Sequence, residues 1–228
     1  MKFTFNNFTL FQKILLLFSV VAYTVCAIVI NSVDGWVAWS SCITFVVYLV
    51  FNANSKWISF VWIIISYAIY IYFNIKEFYF GELATSIASI AINFIAMLQW
   101  KKHTKEDKLE INKIKTKEIT LSFACTIMLG VALYFILSTV NTELVILNAI
   151  SFAIILLEYY FTFRRTVWKF VAGIISAIVY ILLWIFAMQS ITNYALIFVV
   201  NGFINIVWYF DSIVKWKKIT KSSSKVKI

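Results

Sequence analysis

Eight apolar runs, each closed by a short polar stretch, divide the chain at residues 14–30, 35–51, 57–73, 83–100, 119–137, 144–161, 167–188 and 194–210. At 1.5 Å per helical residue, runs of this length just cross the ~30 Å hydrocarbon layer of a bilayer. The pattern therefore predicts eight transmembrane helices. A secretory signal peptide competes for the first run, but residues 14–30 exceed a typical signal core and Val25-Cys26 offers no clean small-residue cleavage pattern. Trp36, Trp39, Trp57 and Trp100 sit at run ends, where amphipathic rings suit the headgroup level.

Polar positions inside the runs are periodic. Trp168, Ala172, Ser176, Tyr180 and Trp184 recur every four residues along the seventh run, so they share one helical face. Lipid has no use for Ser or Tyr at mid-depth, and this stripe is expected to face other helices or a cavity. Trp62, Ser66 and Tyr70 align in the third run, and Ser86, Ser89, Asn93 and Trp100 in the fourth. Asn148, Ser151 and Glu158 share a face of the sixth, as do Asn201, Asn205 and Trp208 of the eighth.

An internal repeat organises these stripes. Ile64-Ile65-Ser66 with Tyr70-Ile71 matches Ile174-Ile175-Ser176 with Tyr180-Ile181, and Asn93 with Trp100 matches Asn201 with Trp208. Four helices separate equivalent positions, so the two units run in the same direction. The expected fold is all-α and polytopic: an N-terminal extra helix (1–34), a three-helix bundle (35–100), a loop and linker helix (101–143), a second three-helix bundle (144–213) and a basic tail (214–228).

Charge fixes the orientation. The net charge is +10, and 19 of the 20 basic residues fall on one side of the eight-span topology, with Lys76 alone opposite. The positive-inside rule then places both termini in the cytoplasm of a multi-pass plasma-membrane protein. It also explains the charge without a nucleic-acid partner. Lysine-rich 101–118 reads as a flexible cytoplasmic connector rather than an amphipathic surface helix, because Leu109, Ile111 and Ile114 form only a weak stripe.

Composition excludes several classes. The chain is 63% hydrophobic and 13% charged, which leaves no room for a soluble domain. Cys26, Cys42 and Cys125 lie in apolar runs without C-x-x-C spacing and read as small buried hydrophobes, and His103 has no companion ligand, so neither a disulfide, a metal site nor a cofactor is indicated. No catalytic dyad, ion relay or nucleotide loop is present. The chain reads as a non-enzyme whose partners are the lipid bilayer and a small molecule, with self-association left open.

Two readings of the buried polar residues stand side by side. In one, Asn and Ser glue helices together, as in a non-transporting scaffold or assembly protein. In the other, they line a pocket that stacks a flat ring on Tyr or Trp and bonds its polar groups. Glu158 either serves that pocket or snorkels toward Arg164 or Arg165.

The segments Leu147-Asn-Ala-Ile-Ser, Glu158-Tyr-Tyr-Phe-Thr-Phe-Arg164-Arg165 with Trp168, and Asn201-Gly-Phe-Ile-Asn-Ile-Val-Trp208 resemble the PnuC family of vitamin transporters. Lys56-Trp57, Tyr70, Phe80-Gly81-Glu82 and Gln99-Trp100 extend the resemblance into the first half. It implies two three-helix bundles joined by one helix, and facilitated diffusion with the substrate trapped by phosphorylation inside the cell. Nicotinamide riboside is the first substrate implied; thiamine, riboflavin or a (deoxy)nucleoside is the alternative. The expected substrate contacts are Ser66, Tyr70, Asn93, Glu158, Ser176, Tyr180, Asn201, Asn205 and Trp208. The family's Trp-x-x-Trp-x-x-x-Asn signature reads here Trp168, Val171 and Ile175, so only its first Trp is kept.

Overall fold

The computed structural model describes residues 8–76, 79–105, 108–139, 144–188 and 194–225, without the side chains of 81, 105, 108 and 221–225. Lys2 and Lys227, two of the twenty basic residues counted above, lie outside this description. The helices are α1 (Leu10–Ile30), α2 (Val33–Ala53), α3 (Ser59–Lys76), α4 (Phe80–Lys102), α5 (Thr116–Leu137), α6 (Val145–Phe163), α7 (Trp168–Ala187) and α8 (Ala195–Lys225). All eight are long and apolar enough to cross a membrane. With no proline in the chain, nothing interrupts their backbone ladders. Where α1 gives way to α2 the turn is sharp: Asn31 closes α1 in the left-handed region and Ser32 caps α2 by accepting from Gly35 N at 3.0 Å.

Two helix trios form the body. α2 packs on α3 and α3 on α4; α6 packs on α7 and α7 on α8; the trios meet where α2 touches α8 and α4 touches α6. The turns that open the second helix of each trio are alike. Ser55 and Arg165, 110 residues apart, both take positive φ, at 58° and 52°. Lys56 N bonds Phe51 O and Ser59 N bonds Lys56 O; at the same spacing, Thr166 N bonds Phe161 O and Lys169 N bonds Thr166 O. This likeness of backbone is consistent with the repeat read from the sequence. α1 lies outside the trios, against α2 and α8, and buries Gln12, Leu15, Ser19, Tyr23 and Ala27 along one stripe. α5 packs on α6 and exposes most of its length.

Three local expectations change. The α8 helix runs past the predicted end at 210, because no breaker intervenes and Trp216 is fully buried; at 1.5 Å per residue its length of about 46 Å exceeds the hydrocarbon layer. The connector is not simply loose: β1 (Thr104–Lys105) pairs antiparallel with β2 (Lys108–Leu109), Leu109 is buried, and Asn112 bonds the carbonyls of Arg164 and Arg165. Cys125 is exposed on α5 rather than buried, whereas Cys42 is buried as expected.

Candidate functional site

The trios enclose a cavity at their interface, lined from α2, α3, α4, α6, α7 and α8. Its cavity volume is ≈ 80 Å³. Helical periodicity explains who faces it. Ser66 and Tyr70 lie one turn apart on α3, Ser176 and Tyr180 likewise on α7, and Asn201, Asn205 and Tyr209 follow at fourfold spacing on α8. Residues matched in the sequence repeat thus meet across one space: Ser66 with Ser176, Tyr70 with Tyr180, and Asn93 with Asn201.

Directed hydrogen bonds order one wall. Trp184 Nε1 can only donate, and gives its proton to the Tyr70 hydroxyl at 3.0 Å. Tyr180 stands beside Tyr70, with ring centroids 6.1 Å apart, and lines the cavity together with Asn201. Behind Asn201 stands α1: the Tyr23 hydroxyl donates to Asn201 Oδ1 at 2.8 Å. That bond occupies the Asn201 amide oxygen and ties α8 to α1. On the opposite wall Asn93 Nδ2 donates to Tyr159 Oη at 3.0 Å and to Ser89 O at 2.8 Å, and Tyr159 is hydrogen-bonded to Tyr67.

Two carboxylates face the cavity, Glu82 at 4% and Glu158 at 6% exposure. Ser151 is a polar neighbour of Glu82, and Tyr209 of Glu158. Asn205 Oδ1 and Glu82 Oε1 are buried acceptors with no protein partner among the described residues. No basic side chain appears in the described lining. The snorkelling alternative for Glu158 loses its partners. Arg164 is engaged bidentately by Glu118, Nε to Oε1 at 2.7 Å and Nη2 to Oε2 at 3.2 Å, and Arg165 Nε donates to Glu110 O at 3.0 Å. Glu118 thereby holds the Arg164 guanidinium above its ordinary pKa.

Toward the lysine-rich ends of the helices, aromatic rings pack between the trios. Trp100 packs edge-on against Phe60, with centroids 4.9 Å apart, and Trp216 does the same to Phe170 at 4.9 Å. Trp100 also donates through Nε1 to Thr162 O at 3.0 Å, tying α4 to α6.

A model of the nicotinamide mononucleotide transporter family matches residues 35–218. The chain belongs to this family. Its members are transporters and not enzymes. A crystal structure of the vitamin B3 transporter PnuC superposes with a TM-score of 0.83 over 96% of this chain and 95% of that one. At 18% identity, that likeness is one of fold. No curated protein matches the sequence. The expected eight-span PnuC-type helical architecture is therefore present, and the structural match reaches beyond the family model to take in α1.

Eight of the nine residues expected at the site line the cavity: Ser66, Tyr70, Asn93, Glu158, Ser176, Tyr180, Asn201 and Asn205. Trp208 is absent from the lining; its ring is fully buried among the helices. The ring that packs on Phe170 as Trp100 packs on Phe60 is Trp216 instead. Among the residues missed, Tyr209 continues the Asn201–Asn205 stripe by one turn and was visible in the spacing. Hydropathy starts the fourth run at 83 and leaves Glu82 outside it, whereas α4 begins at Phe80.

Proposed function

We propose that the protein is a facilitated-diffusion carrier in the plasma membrane, with both termini cytoplasmic, that takes up a cationic ring-bearing vitamin precursor, nicotinamide riboside first. The observation that carries this reading is the character of the cavity: tyrosines for stacking, amides and hydroxyls for hydrogen bonding, and two carboxylates without a basic residue in the described lining. A pyridinium sandwiched by such rings gains cation–π attraction, worth about 2 kcal/mol or more once desolvated, and the carboxylates balance its charge. The ribose hydroxyls and carboxamide supply partners for Asn93, Asn201, Asn205 and Tyr180. A phosphate group would meet no cation in that lining, which favours the riboside over the mononucleotide of the family's description. No chain of intramembrane acids suggests ion coupling, and phosphorylation inside the cell would supply the net driving force.

Thiamine is the second reading. Its thiazolium is also cationic, and the family signature on α7 is replaced by Val171 and Ile175. Neutral riboflavin and nucleosides suit the carboxylates less well. The scaffold reading also has support in that Asn93 and Asn201 each bond a neighbouring helix; a cavity between the trios is what it does not account for. Uptake into proteoliposomes decides. Labelled nicotinamide riboside is expected to equilibrate across the membrane, with nicotinamide mononucleotide excluded. Flux of thiamine alone would reassign the substrate, and no flux of any ring compound would return the scaffold reading.

A further inference from the structure

Glu82 lies in the first turn of α4 and in the wall of the cavity, at 4% exposure. Its backbone N–H donates to Asn148 Oδ1 of α6, in the other trio, at 3.0 Å, which pins that turn across the interface. The partial positive charge of a helix start favours a carboxylate there and offsets part of its charge. Nothing among the described residues, however, gives a hydrogen-bond donor to Oε1. A buried carboxylate oxygen without a donor is costly, and a ligand that brings one removes the cost.

The depth of Glu82 follows from how α4 lies on α6. Glu82 meets Asn148 and Asn93 meets Tyr159, both at an offset of 66 residues. The two helices therefore run side by side in register, and Glu158 is level with Ile92, ten residues along α4 from Glu82. At 1.5 Å per residue the two acids stand about 15 Å apart along the helices. A ring bearing one pentose is shorter than that, so a single ligand group cannot engage both. The aromatic wall on the Glu82 side is fixed by contact: Tyr79, one turn before Glu82, packs on Trp184 with centroids 5.9 Å apart, and Trp184 donates to Tyr70.

We infer that Glu82 is the sugar-recognition residue of the carrier: its carboxylate accepts hydrogen bonds from the vicinal hydroxyls of a pentose whose ring lies against Tyr70 and Tyr180. The inference deepens the proposed riboside substrate and rests on that reading. Two adjacent O–H groups offer two donors to the two oxygens of one carboxylate, and hydrogen bonds to a charged acceptor are about twice as strong as neutral ones. Acidic side chains hold ribose hydroxyls in the same way in dinucleotide sites. Charge balance alone does not satisfy the unpartnered oxygen, because a pyridinium nitrogen that bears a sugar has no proton to give. Thiamine and 2′-deoxyribosides carry no vicinal hydroxyl pair, so Glu82 sorts ribosides from both. Glu158, too far along the bundle to reach the same hydroxyls, takes no part in that choice.

The test measures Kd for the purified full-length carrier with nicotinamide riboside, its 2′-deoxy counterpart and the uncharged dihydro form of each. Wild type is expected to bind the riboside about tenfold or more tightly than the 2′-deoxy form, whether the ring is charged or neutral. Glu82→Gln should shrink that preference about threefold or more, by weakening the riboside while the 2′-deoxy form changes little. Glu158→Gln should shift both sugars by the same factor and keep the preference. A Glu82→Gln carrier that retains the full wild-type preference overturns the inference. So does one that weakens the charged forms alone, with either sugar, since Glu82 would then act only as a counter-ion. If Glu82→Gln fails to fold, Glu82→Asp decides: it keeps the charge but withdraws the oxygens by one methylene, and should lose the preference as well. Wild type binding all four probes without regard to the hydroxyl overturns this inference alone. Wild type binding none of them, while thiamine binds, overturns the substrate reading on which it rests.

Discussion

Tyr23 shows how a residue outside the lining shapes it. Its buried hydroxyl reaches Asn201 from α1, which contributes no side chain to the cavity wall. Tyr23→Phe keeps the ring and deletes the donor, so the Asn201 amide is free to turn over. The loss of one buried hydrogen bond of about 1 kcal/mol corresponds to roughly a fivefold change. It should appear as a raised KM for uptake with the maximal rate nearly kept; an unchanged KM would show that Asn201 is oriented without α1. Much of the residue scale was legible in advance. Ser66, Tyr70, Ser176, Tyr180 and Asn201 stand at helical spacing in otherwise apolar runs, and hydrocarbon tolerates such groups only where they find partners. Lys169 was not legible. A lysine at a run boundary reads as solvated, yet it is fully buried, against the rings of Trp100 and Trp216, which are far from it in the chain.

At the scale of helices, small residues decide which pairs come close. A Cβ built on Gly173 of α7 would stand 2.7 Å from Cζ of Tyr209 on α8, the tyrosine that neighbours Glu158. Gly173→Ala therefore pushes a rigid ring in a packed seam. Overpacking of this kind costs about 1–3 kcal/mol, and a lowered Tm with reduced uptake is expected. Gly130→Ala is the matched control: its Cβ would meet only Ala153 Cβ at an ordinary 3.6 Å, and neither Tm nor uptake should change. Existence and order of the helices were readable because lipid demands long apolar runs. Their ends were not. Hydropathy reports immersion in hydrocarbon and stops there, whereas α8 continues on contacts that Trp216 makes beyond it and Lys215 makes to Gln12 and Asn54. The docking of the connector on the α6–α7 turn was hidden for the same reason, since Asn112 bonds backbone carbonyls that no side-chain pattern announces.

For the molecule as a whole, two helix trios meet around one cavity, and the proposed carrier would bind its substrate there, between them. Inter-helix bonds such as Ser66 Oγ to Ser41 O at 2.9 Å occupy part of its polar groups, and the facilitated-diffusion proposal calls for no driving ion. Uptake by proteoliposomes should accordingly reach the same plateau with sodium, proton or potassium gradients imposed or abolished. A plateau that follows one gradient would show coupling through Glu82 or Glu158.

α5 gives this architecture its chain logic. Three helices end on the face opposite their start, so a second trio joined directly to the first would be inserted upside down. One additional crossing restores the direction. α5 packs on α6, has Leu137 as its buried residue and contributes nothing to the cavity. Beyond the Glu118–Arg164 clasp and the packing of Phe123 on Phe161 near its start, its demands are length and greasiness. It is the segment in which mutations accumulate at least cost, and the place where an unrelated apolar crossing, grafted from another membrane protein, would be tolerated.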